Sequence, residues 1–583
     1  MLFRTVVCSR SQGKNSLIER RLALNKALAF DEKPIRLRPH LKGRQVSAKD
    51  RLALRQILGG PANQRDLLIE YLHLIQDAES CLPVHLLAAL AADLNIALAE
   101  VYEVASFYHH FDIVREGESR PARLTLRVCE SLTCSLAGAE KLLLRLRQLL
   151  GEQLRVQAVP CVGRCEDAPI AVLGQNPIVQ ADEGAVLAAL SSGATKASTP
   201  DAIDYHNYII QGGYQLLKAL DTGALSADTV IAALEVSGLR GLGGAGFPVY
   251  RKWNILRQQP APRYMAVNID EGEPGTFKDR YYLERDPHRF LEGMLIAAKI
   301  TGMSAIWIYL RDEYAHCRQL LERELKALQA QAPCPLPAIS LRRGAGAYIC
   351  GEESAMIESI EGKRGVPRLR PPYVAERGLF GRPTLEHNME SLYWIREIVE
   401  RGGEWFAAQG RRGRKGLRSF SVSGRVNKPG VHLAPAGITV VELINEYAGG
   451  MLEGHSFYAY LPGGASGGIL PARMGDIPLD FDTLNPHGAF IGSAAVVILS
   501  DKDKASDAAR NLMHFFEHES CGQCTPCRVG TSKMNQLIAR DQWDQRLIEE
   551  LSQTMIDASI CGLGQAAPNP VLLVMKHFAH EVS

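Results

Sequence analysis

The chain of 583 residues is long enough for roughly three to five domains. Its 46% hydrophobic and 22% charged residues are typical of an ordinary soluble protein, and its 52 Gly and 30 Pro exclude collagen-like and wholly disordered chains. The formal net charge of +2 gives no global electrostatic reason to expect nucleic-acid binding.

The start of the chain is basic, because residues 1–51 carry 13 Lys/Arg and 4 Asp/Glu while the remainder carries 53 and 60. A mitochondrial presequence would avoid acids, and this segment contains Glu19, Asp31 and Glu32. The other two interpretations are a solvated arm and a strap that docks on an acidic patch of a partner subunit. No signal-peptide pattern and no apolar run of roughly 18 residues occurs, which predicts a cytoplasmic protein without membrane spans.

Helix and strand patterns follow in chain order. Apolar residues at helical spacing over 66–98 predict a small helical module. Strand patterns at 123–128 and 154–160, with a helix pattern between them and a short apolar pair around 170–180, predict a small α/β layer. The small polar residues 191–201 predict a linker.

Beyond this linker the patterns predict a larger α/β body. A helix at 228–239 leads into RGLGGAGF, and the buried strands 264–269 and 305–310 flank a helix at 288–300. From about Ser419, short strands, Gly/Pro turns and one helix predict a small α+β insert. The last 75 residues are mostly helical in pattern.

Two pairs of cysteines follow predicted strands in the small α/β layer: Cys129 and Cys134, then Cys161 and Cys165. Loops that leave strand ends can bring such pairs together, and four thiolates at this spacing favour a [2Fe–2S] cluster. A four-cysteine zinc site and free thiols are the alternatives.

A second group near the end of the chain contains Cys521, Cys524, Cys527 and Cys561. Three thiolates in one tight loop with a remote fourth match the ligands of a [4Fe–4S] cluster, whereas zinc normally receives two separated pairs. The other cysteines show no ligand spacing and are expected to be mostly buried small hydrophobes: Cys8, Cys81, Cys317, Cys334 and Cys350.

The glycine-rich sequence 241–246 satisfies G-x-G-x-x-G, but a helix pattern precedes it where a dinucleotide-binding turn has a strand. Its glycines permit close approach of the backbone to a flat ligand or a phosphate, and Lys252 is then placed to meet a phosphate. A glycine-rich packing turn is the alternative.

Four polar residues crowd the end of the strand 264–269: Asn268, Asp270, Glu271 and Glu273. Ligands bind at the carboxyl ends of strands in open α/β sheets, and carboxylates suit ribose or ribityl hydroxyls while repelling a 2′-phosphate. This pattern favours NAD over NADP. A solvated acidic loop is the alternative.

A third segment is typical of a glycine-rich turn entering a helix with Glu352 and Glu353 in its first turn, where carboxylates favour the helix dipole. Helix capping alone would explain one of them. Further on, Arg370 and Tyr373 are candidates for phosphate pairing and ring stacking, with ordinary surface placement as the alternative.

Residues from about 200 to 583 closely resemble the flavin-bearing NADH dehydrogenase subunit of respiratory complex I. The resemblance rests on five motifs in this order: GLGGAGFPVYRKW, NIDEGEPGTFKDR, GAGAYICGEES, ESCGQCTPCRVG and SICGLG. Residues 50–190 are similar to its thioredoxin-like [2Fe–2S] partner subunit. Five motifs are most similar to the β subunit of soluble molybdenum- or tungsten-dependent NAD formate dehydrogenase: KGRQV, RDLLIEYLHLIQD, RGLGGAGFP, YLPGGASGGILPA and FIGSAAVVILSD.

This resemblance implies a multidomain α/β fold: a basic N-terminal arm at 1–50, a helical module at 51–120, a thioredoxin-like [2Fe–2S] domain at 121–192, a Rossmann-like FMN/NAD-binding domain at 202–415, a ubiquitin-like α+β domain at 416–505 and a helical [4Fe–4S] domain at 506–583. The implied ligands are FMN, NAD and both clusters, the latter on the two cysteine groups. FMN is expected on Gly241, Gly243, Gly244, Lys252, Asn268, Asp270, Glu271, Tyr348, Gly351, Glu352 and Asn388. The nucleotide pocket is expected at Phe247, Glu273, Lys278, Glu353, Arg370 and Tyr373.

The resemblance further implies hydride transfer between NAD and FMN with no obligatory acid or base, Glu271 and Glu353 being the candidates if one acts. It implies a hetero-oligomer with a catalytic α subunit that carries the molybdenum or tungsten site and further Fe–S clusters. The alternatives are the diaphorase subunit of an NAD-reducing hydrogenase and, in another class, a zinc-binding structural adaptor.

Two positions depart from the complex I pattern: Leu242 stands at a common Arg position, and His387 precedes Asn388 where two Asn are usual. His387 can donate or accept a hydrogen bond depending on its tautomer.

Overall fold

The structure, a computed structural model, describes residues 45–151 and 154–582. From Ser47 onward the described residues form one compact unit. Most of the predicted basic arm at 1–50 lies outside the described residues. Among the helices that are described, none is long and apolar enough to cross a membrane.

The helical module begins at Ser47, whose hydroxyl accepts a hydrogen bond from the Asp50 amide at 3.0 Å and caps the first helix. A left-handed Gly59 ends that helix, since glycine adopts this conformation without strain. The module contains helices Ala48–Leu58, Leu68–Glu79, Val84–Leu94 and Leu98–Phe107, a 3₁₀ turn Arg65–Leu67, and two short parallel strands, β1 (Leu82–Pro83) and β2 (Ile113–Val114).

The small α/β layer is a four-stranded mixed sheet in the order β4-β3-β5-β6. β3 pairs in parallel with β4 and antiparallel with β5, so the loops after β3 and β4 leave from the same edge. Its elements are β3 (Thr125–Cys129), β4 (Arg155–Val159), β5 (Ala171–Leu173), β6 (Asn176–Ile178), helices Leu132–Leu136, Ala139–Leu150 and Glu183–Ser192, and the 3₁₀ turn Cys165–Asp167. The last helix extends two residues into the predicted linker.

The central region is a fully parallel sheet in the order β10-β7-β8-β9: β7 (Arg263–Ile269), β8 (Met303–Leu310), β9 (Ala338–Arg343) and β10 (Thr384–Asn388). The strand order reverses between β7 and β10, which is where open α/β sheets form a ligand crevice. Helices pack around this sheet: Tyr205–Ile210, Gln215–Thr222, Ala227–Ser237, Val249–Arg257, Lys278–Leu283, Pro287–Thr301, Ala315–Ala330, Glu353–Ile360, Met389–Tyr393, Ile395–Arg401 and Gly403–Ala407, with 3₁₀ turns Tyr348–Gly351 and Leu379–Gly381.

The α+β insert is a mixed five-stranded sheet in the order β12-β11-β15-β13-β14, in which only the β11–β15 pair is parallel. Its strands are β11 (Leu417–Gly424), β12 (Gly430–Pro435), β13 (Phe457–Leu461), β14 (Leu470–Pro471) and β15 (Ala495–Ser500). Between them lie helix Val440–Glu442, the π turn Leu443–Tyr447 and 3₁₀ turns Ala465–Gly467, Ala472–Met474 and Asn485–His487.

The C-terminal region is helical, as predicted: Ala505–His518, Thr525–Ile538, Gln545–Ala558, Gly562–Ala566, Asn569–His577 and the 3₁₀ turn Ala579–Glu581. One hydrophobic core runs through the central region and the α+β insert, and the thioredoxin-like layer has a separate core. The predicted fold class, a multidomain α/β protein with a helical end, is therefore confirmed.

Candidate functional site

A cleft of about 650 Å³ opens at the carboxyl ends of the parallel strands. Asn268 and Asn388 are register partners at the ends of β7 and β10, so they mark the point where strand order reverses. Tyr373 is the one predicted contact that does not line the cleft; it is 55% exposed. The cleft is lined by Gly241, Gly243, Gly244, Phe247, Lys252, Asn268, Asp270, Glu271, Glu273, Lys278, Tyr348, Gly351, Glu352, Glu353, Arg370 and Asn388.

The glycine loop forms a tight wall of this cleft. The Gly241 amide donates to the Phe247 carbonyl at 2.8 Å, and helix Ala227–Ser237 precedes the loop, so this is not a strand-to-helix dinucleotide turn. A Cβ on Gly243 would lie 3.0 Å from the Asn388 Cβ. Gly244 has φ +122°, which a side chain would strain. The loop therefore exposes backbone to the cleft.

Asn268 and Asp270 are set by the local backbone at the end of β7. The Asn268 amide nitrogen donates to the Gly351 carbonyl at 2.8 Å, and its oxygen accepts from the Asp270 amide at 3.0 Å. Asp270 Oδ2 is buried without a hydrogen-bond partner, and burial raises the pKa of Asp270 well above its usual range. A buried acceptor without a partner suits a ligand hydroxyl.

Glu271 and Lys278 line the cleft, yet their polar atoms are held by the protein. Glu271 accepts from the amides of Asp279 (2.8 Å) and Arg280 (3.2 Å), and from the Tyr314 hydroxyl (2.9 Å). Burial raises the pKa of Glu271 to about 7. The Lys278 ammonium lies 2.8 Å from the Asp279 carboxylate, in a fully enclosed position. These contacts orient the start of helix Lys278–Leu283.

Glu273 links two regions of the protein. One carboxylate oxygen accepts from the Ser466 amide at 2.8 Å, and the other accepts from the Tyr348 hydroxyl. Burial raises the pKa of Glu273, while these hydrogen bonds oppose that rise. A Cβ on Gly464 would lie 2.6 Å from the Glu273 Cγ, so the loop after β13 closes tightly on this carboxylate.

Glu352 is the N-cap of helix Glu353–Ile360, not a first-turn residue, and it accepts from the amides of Ser354 and Ala355 at 3.0 and 2.9 Å. Capping thus accounts for one of the two predicted carboxylates. Arg370 pairs with both Glu352 and Glu353.

Lys252 also lines the cleft. Its ammonium donates to the Glu386 carbonyl at 2.8 Å and contacts the Glu386 carboxylate at 3.1 Å. A lysine held in this way at the cleft wall can meet an anionic group.

Sequence reasoning missed a second half of the cleft wall, from the loops after β13 and before β15 and from the start of the last helices: Gly463, Ser466, Phe490, Gly492, Ser493, Gly562, Leu563, Gln565, Ala566 and Asn569. The glycine pairs in YLPGGASGG were a usable signal, because glycine clusters outside regular elements indicate close backbone approach. The fold brings them to β7, about 200 residues earlier in the chain.

The four C-terminal cysteines, which their spacing makes candidate cluster ligands, share one small pocket. Cys521, Cys524, Cys527 and Cys561 line it together with Ile349 and Leu563. Burial raises the pKa of the Cys561 thiol to about 11, so this sulfur needs a metal to be held as a thiolate. Ile349 and Leu563 also line the cleft, so a single layer of side chains separates the two spaces.

The other four predicted ligands, Cys129, Cys134, Cys161 and Cys165, are all buried, at most 4% exposed. The Cys161 and Cys165 sulfurs lie 3.3 Å apart without a disulfide, and hydrogen bonds among these thiols shift the pKa of Cys129 upward and that of Cys161 downward. The loops after β3 and β4 therefore bring both pairs together.

The Cys161 loop is attached directly to the acidic strand end. Arg311 donates to the Cys161 carbonyl at 2.7 Å and to the Glu271 carbonyl. Arg280 donates to the Gly163 carbonyl at 2.8 Å. A Cβ on Gly163 would lie 2.1 Å from the Tyr314 hydroxyl, so only glycine fits this contact.

The two unusual positions are both buried. Leu242 packs in the central core at 4% exposure. His387 lines the cleft, its Nε2 is buried without a partner, and burial lowers its pKa to about 3. His387 is therefore neutral at ordinary pH.

These observations fit FMN and two Fe–S clusters. The cleft suits a large flat ligand with hydroxyls because of its volume, its glycine wall and the buried, unpaired oxygen of Asp270. Each of the two groups of four neighbouring thiols suits an iron–sulfur cluster. The other cysteines of the described chain do not join either set: Cys81, Cys317 and Cys350 are buried and Cys334 is partly exposed. Cys8 lies outside the described residues.

Comparison with known proteins agrees with this geometry. Residues 54–193 match the thioredoxin-like [2Fe-2S] ferredoxin family, residues 234–397 the Nuo51 FMN-binding domain, and residues 507–583 the iron-sulfur binding region of NADH-ubiquinone oxidoreductase-F. The second NADH-quinone oxidoreductase F protein of Rhizobium meliloti is 38% identical over 398 residues, which are 66% of this chain and 94% of that protein. The chain belongs to the F-type flavoprotein family of NADH-quinone oxidoreductases.

A second relative and a solved structure are also similar to this chain. The mitochondrial 51 kDa subunit of NADH-ubiquinone oxidoreductase in Neurospora crassa is 39% identical over 379 residues, covering 61% of this chain and 76% of that protein. A crystal structure of an NAD⁺-reducing [NiFe]-hydrogenase in its H₂-reduced state superposes with a TM-score of 0.77 and 32% identity, covering 89% of this chain and 93% of that one. The present chain is therefore a flavin and iron–sulfur oxidoreductase subunit with FMN-binding, [2Fe–2S] and [4Fe–4S] domains.

Proposed function

We propose that this chain is the NAD⁺-reducing β subunit of a formate dehydrogenase complex. One observation supports a role in passing electrons between NAD and iron–sulfur clusters: the cleft lies between the two cysteine groups. Ile349 and Leu563 border both the cleft and the C-terminal cysteine pocket, while Asp270 and Tyr348 border both the cleft and a second cavity that reaches Cys161. Formate as electron source is supported by the sequence motifs.

Bound flavin supplies the redox chemistry, because it exchanges a hydride with nicotinamide and single electrons with iron–sulfur clusters. The chain supplies placement. The glycine loop at 241–246 lets the ring system approach the backbone, and Asn268, Asp270 and Asn388 offer groups for ribityl hydroxyls. Lys252 offsets phosphate charge.

Three further residues of the cleft are assigned to the nucleotide: Phe247, Glu273 and Glu353. Phe247 is 45% exposed at the cleft and offers a face for stacking. Glu273 and Glu353 accept from hydroxyls and disfavour a 2′-phosphate, so NAD is the expected substrate. Hydride transfer needs no acid or base, and the contacts of Glu271 give it a positioning role.

The partner subunit is expected to dock beside the C-terminal cysteine group. Cys521, Cys524 and Cys561 are partly exposed, whereas the four cysteines of the first group are enclosed by this chain. Electrons from a molybdenum or tungsten subunit would therefore enter at the [4Fe–4S] cluster.

A hydrogenase diaphorase is the second candidate, and one observation favours it. The hydrogenase chain matches 89% of this chain, whereas the Rhizobium protein matches 66%, so the hydrogenase likeness extends beyond the flavin and C-terminal regions. A fused thioredoxin-like domain is thus compatible with either electron source.

To test the proposal, the native complex would be purified anaerobically and NAD⁺ reduction followed by the absorbance of NADH with formate or hydrogen as donor. Formate-driven reduction is expected. Reduction by hydrogen without formate would assign the chain to the hydrogenase class, and a colourless, iron-free preparation from an iron-sufficient host would contradict both.

A further inference from the structure

Three potential metal ligands with no part in the proposed electron path meet beside the C-terminal cysteine loop. His109 follows the helix Leu98–Phe107, His518 is the last residue of the helix Ala505–His518, and Glu519 follows it. The His109 and His518 rings lie 4.1 Å apart between centroids. Segments about 400 residues apart in sequence thus present two imidazoles and a carboxylate to one point.

The three ligand atoms are close enough together to surround one ion, since they all lie within 4.8 Å of one another. His109 Nδ1 lies 3.8 Å and His518 Nδ1 lies 3.0 Å from Glu519 Oε1. Zinc bonds of about 2.0–2.2 Å at the tetrahedral angle place ligand atoms about 3.3 Å apart. The two observed distances bracket this value, so small side-chain rotations suffice to admit the ion.

The carboxylate is fixed and the imidazoles are accessible. Glu519 is 5% exposed, and its Oε2 accepts from the Tyr348 amide at 2.8 Å, which leaves Oε1 facing the rings. The His109 and His518 side chains are 45% and 35% exposed, so an ion can enter from solvent.

In the described part of the chain, two other groups of possible ligands are less suited to a cation, because each contains a carboxylate that is already paired with an arginine. In the group of His73, His110 and Asp312, the Asp312 carboxylate is already paired with Arg343 at 2.5 Å. In the group of Glu284, His316 and Cys317, Arg164 lies 3.3 Å from the Glu284 carboxylate. A guanidinium at the site disfavours a second cation.

We propose that His109, His518 and Glu519 bind Zn²⁺, with water in the fourth position. The ion joins the helical module to the segment that precedes Cys521. Its binding holds the Glu519 carboxylate on the Tyr348 amide and stabilises the docking of these two regions.

The test adds Zn²⁺ to the native complex with full iron and flavin content, followed by dialysis and metal analysis. Anomalous diffraction at the zinc edge locates the ion independently of iron. His109→Gln and His518→Gln are compared with His514→Gln, a histidine one turn earlier on the same helix whose ring faces Glu130 at 3.5 Å.

We expect one Zn²⁺ per chain, an anomalous peak among the three side chains, at least tenfold weaker binding in His109→Gln and His518→Gln, and unchanged binding in His514→Gln. Zinc should also raise the melting temperature of the wild type and leave that of His109→Gln unchanged. No bound zinc, a peak only at cluster cysteines, or equal binding in all variants would overturn the proposal. The wild-type peak decides the matter even if a variant fails to fold.

Discussion

Glu273 is the carboxylate on which cofactor choice depends in the proposed site. It is held by Ser466 on one side and Tyr348 on the other, so its position does not depend on the bound nucleotide. A fixed negative charge beside ribose hydroxyls repels a 2′-phosphate more effectively than a mobile one, because the carboxylate cannot move away.

Glu273→Gln should therefore relax discrimination against NADPH, since the amide keeps the shape and removes the charge. We expect the ratio of kcat/KM for NADH over NADPH to fall at least tenfold, or about 1.4 kcal/mol. Steady-state assays with a dye as electron acceptor measure kcat/KM for NADH and for NADPH. Glu376→Gln, at an exposed carboxylate that caps the Tyr373 amide, is the control, and an unaltered ratio in Glu273→Gln would remove this role.

His387 gives a pH-dependent contribution to stability. Its pKa is about 3 in the folded protein, against 6.5 for the unfolded chain, so the unfolded state takes up a proton first on acidification. The stability that neutral His387 provides is complete above pH 6.5 and is lost as pH falls toward 3.

Replacement of His387 by Asn should remove this dependence. From about pH 7.5 to about pH 5 the wild type is expected to lose about 2 kcal/mol more than His387→Asn, from the linkage of one histidine. Urea-induced flavin release, followed by fluorescence at both pH values, compares the two proteins. Parallel losses in both would show that His387 is not the group that titrates.

At the scale of elements, the sequence patterns located most helices and strands, because apolar periodicity is a local property. The strand Arg263–Ile269 and the helix Pro287–Thr301 lie within one residue of the predicted bounds. The part of the cleft wall formed by Gly463, Ser466 and Gly492 was not predicted, since its role depends on which loops the fold brings together. Residue types also did not reveal that Glu271 and Lys278 are held by internal partners.

The loop after β4 leaves no room for a side chain at Gly163. Gly163 has φ +70° and no room for a Cβ beside Tyr314, whereas Gly193 has φ +65° and open space within 4 Å. The two glycines thus differ in packing and are matched in backbone strain.

Gly163→Ala should displace the Cys161 loop and lower [2Fe–2S] content strongly, while the [4Fe–4S] cluster is retained. Gly193→Ala carries the same strain and should keep both clusters. EPR of the dithionite-reduced proteins separates the two signals. Equal [2Fe–2S] signals in both variants would show that the contact with Tyr314 is not limiting.

At the scale of the whole molecule, the two cysteine groups differ in what surrounds them. The first group is enclosed and attached to the acidic strand end through Arg311, and the second is partly exposed one side chain away from the cleft. Electron transfer to another subunit favours the exposed group. We therefore propose that the enclosed group exchanges electrons with the flavin and lies off the main route.

Cys527→Ser and Cys129→Ser test this division. Cys527→Ser should lose the [4Fe–4S] EPR signal and donor-driven NAD⁺ reduction while keeping NADH-to-dye activity, because the flavin still receives hydride. Cys129→Ser should lose only the [2Fe–2S] signal and keep donor-driven turnover. Cys334→Ser, a partly exposed cysteine outside both groups, is the control. Loss of turnover in Cys129→Ser with an intact [4Fe–4S] signal would place the enclosed cluster on the main route.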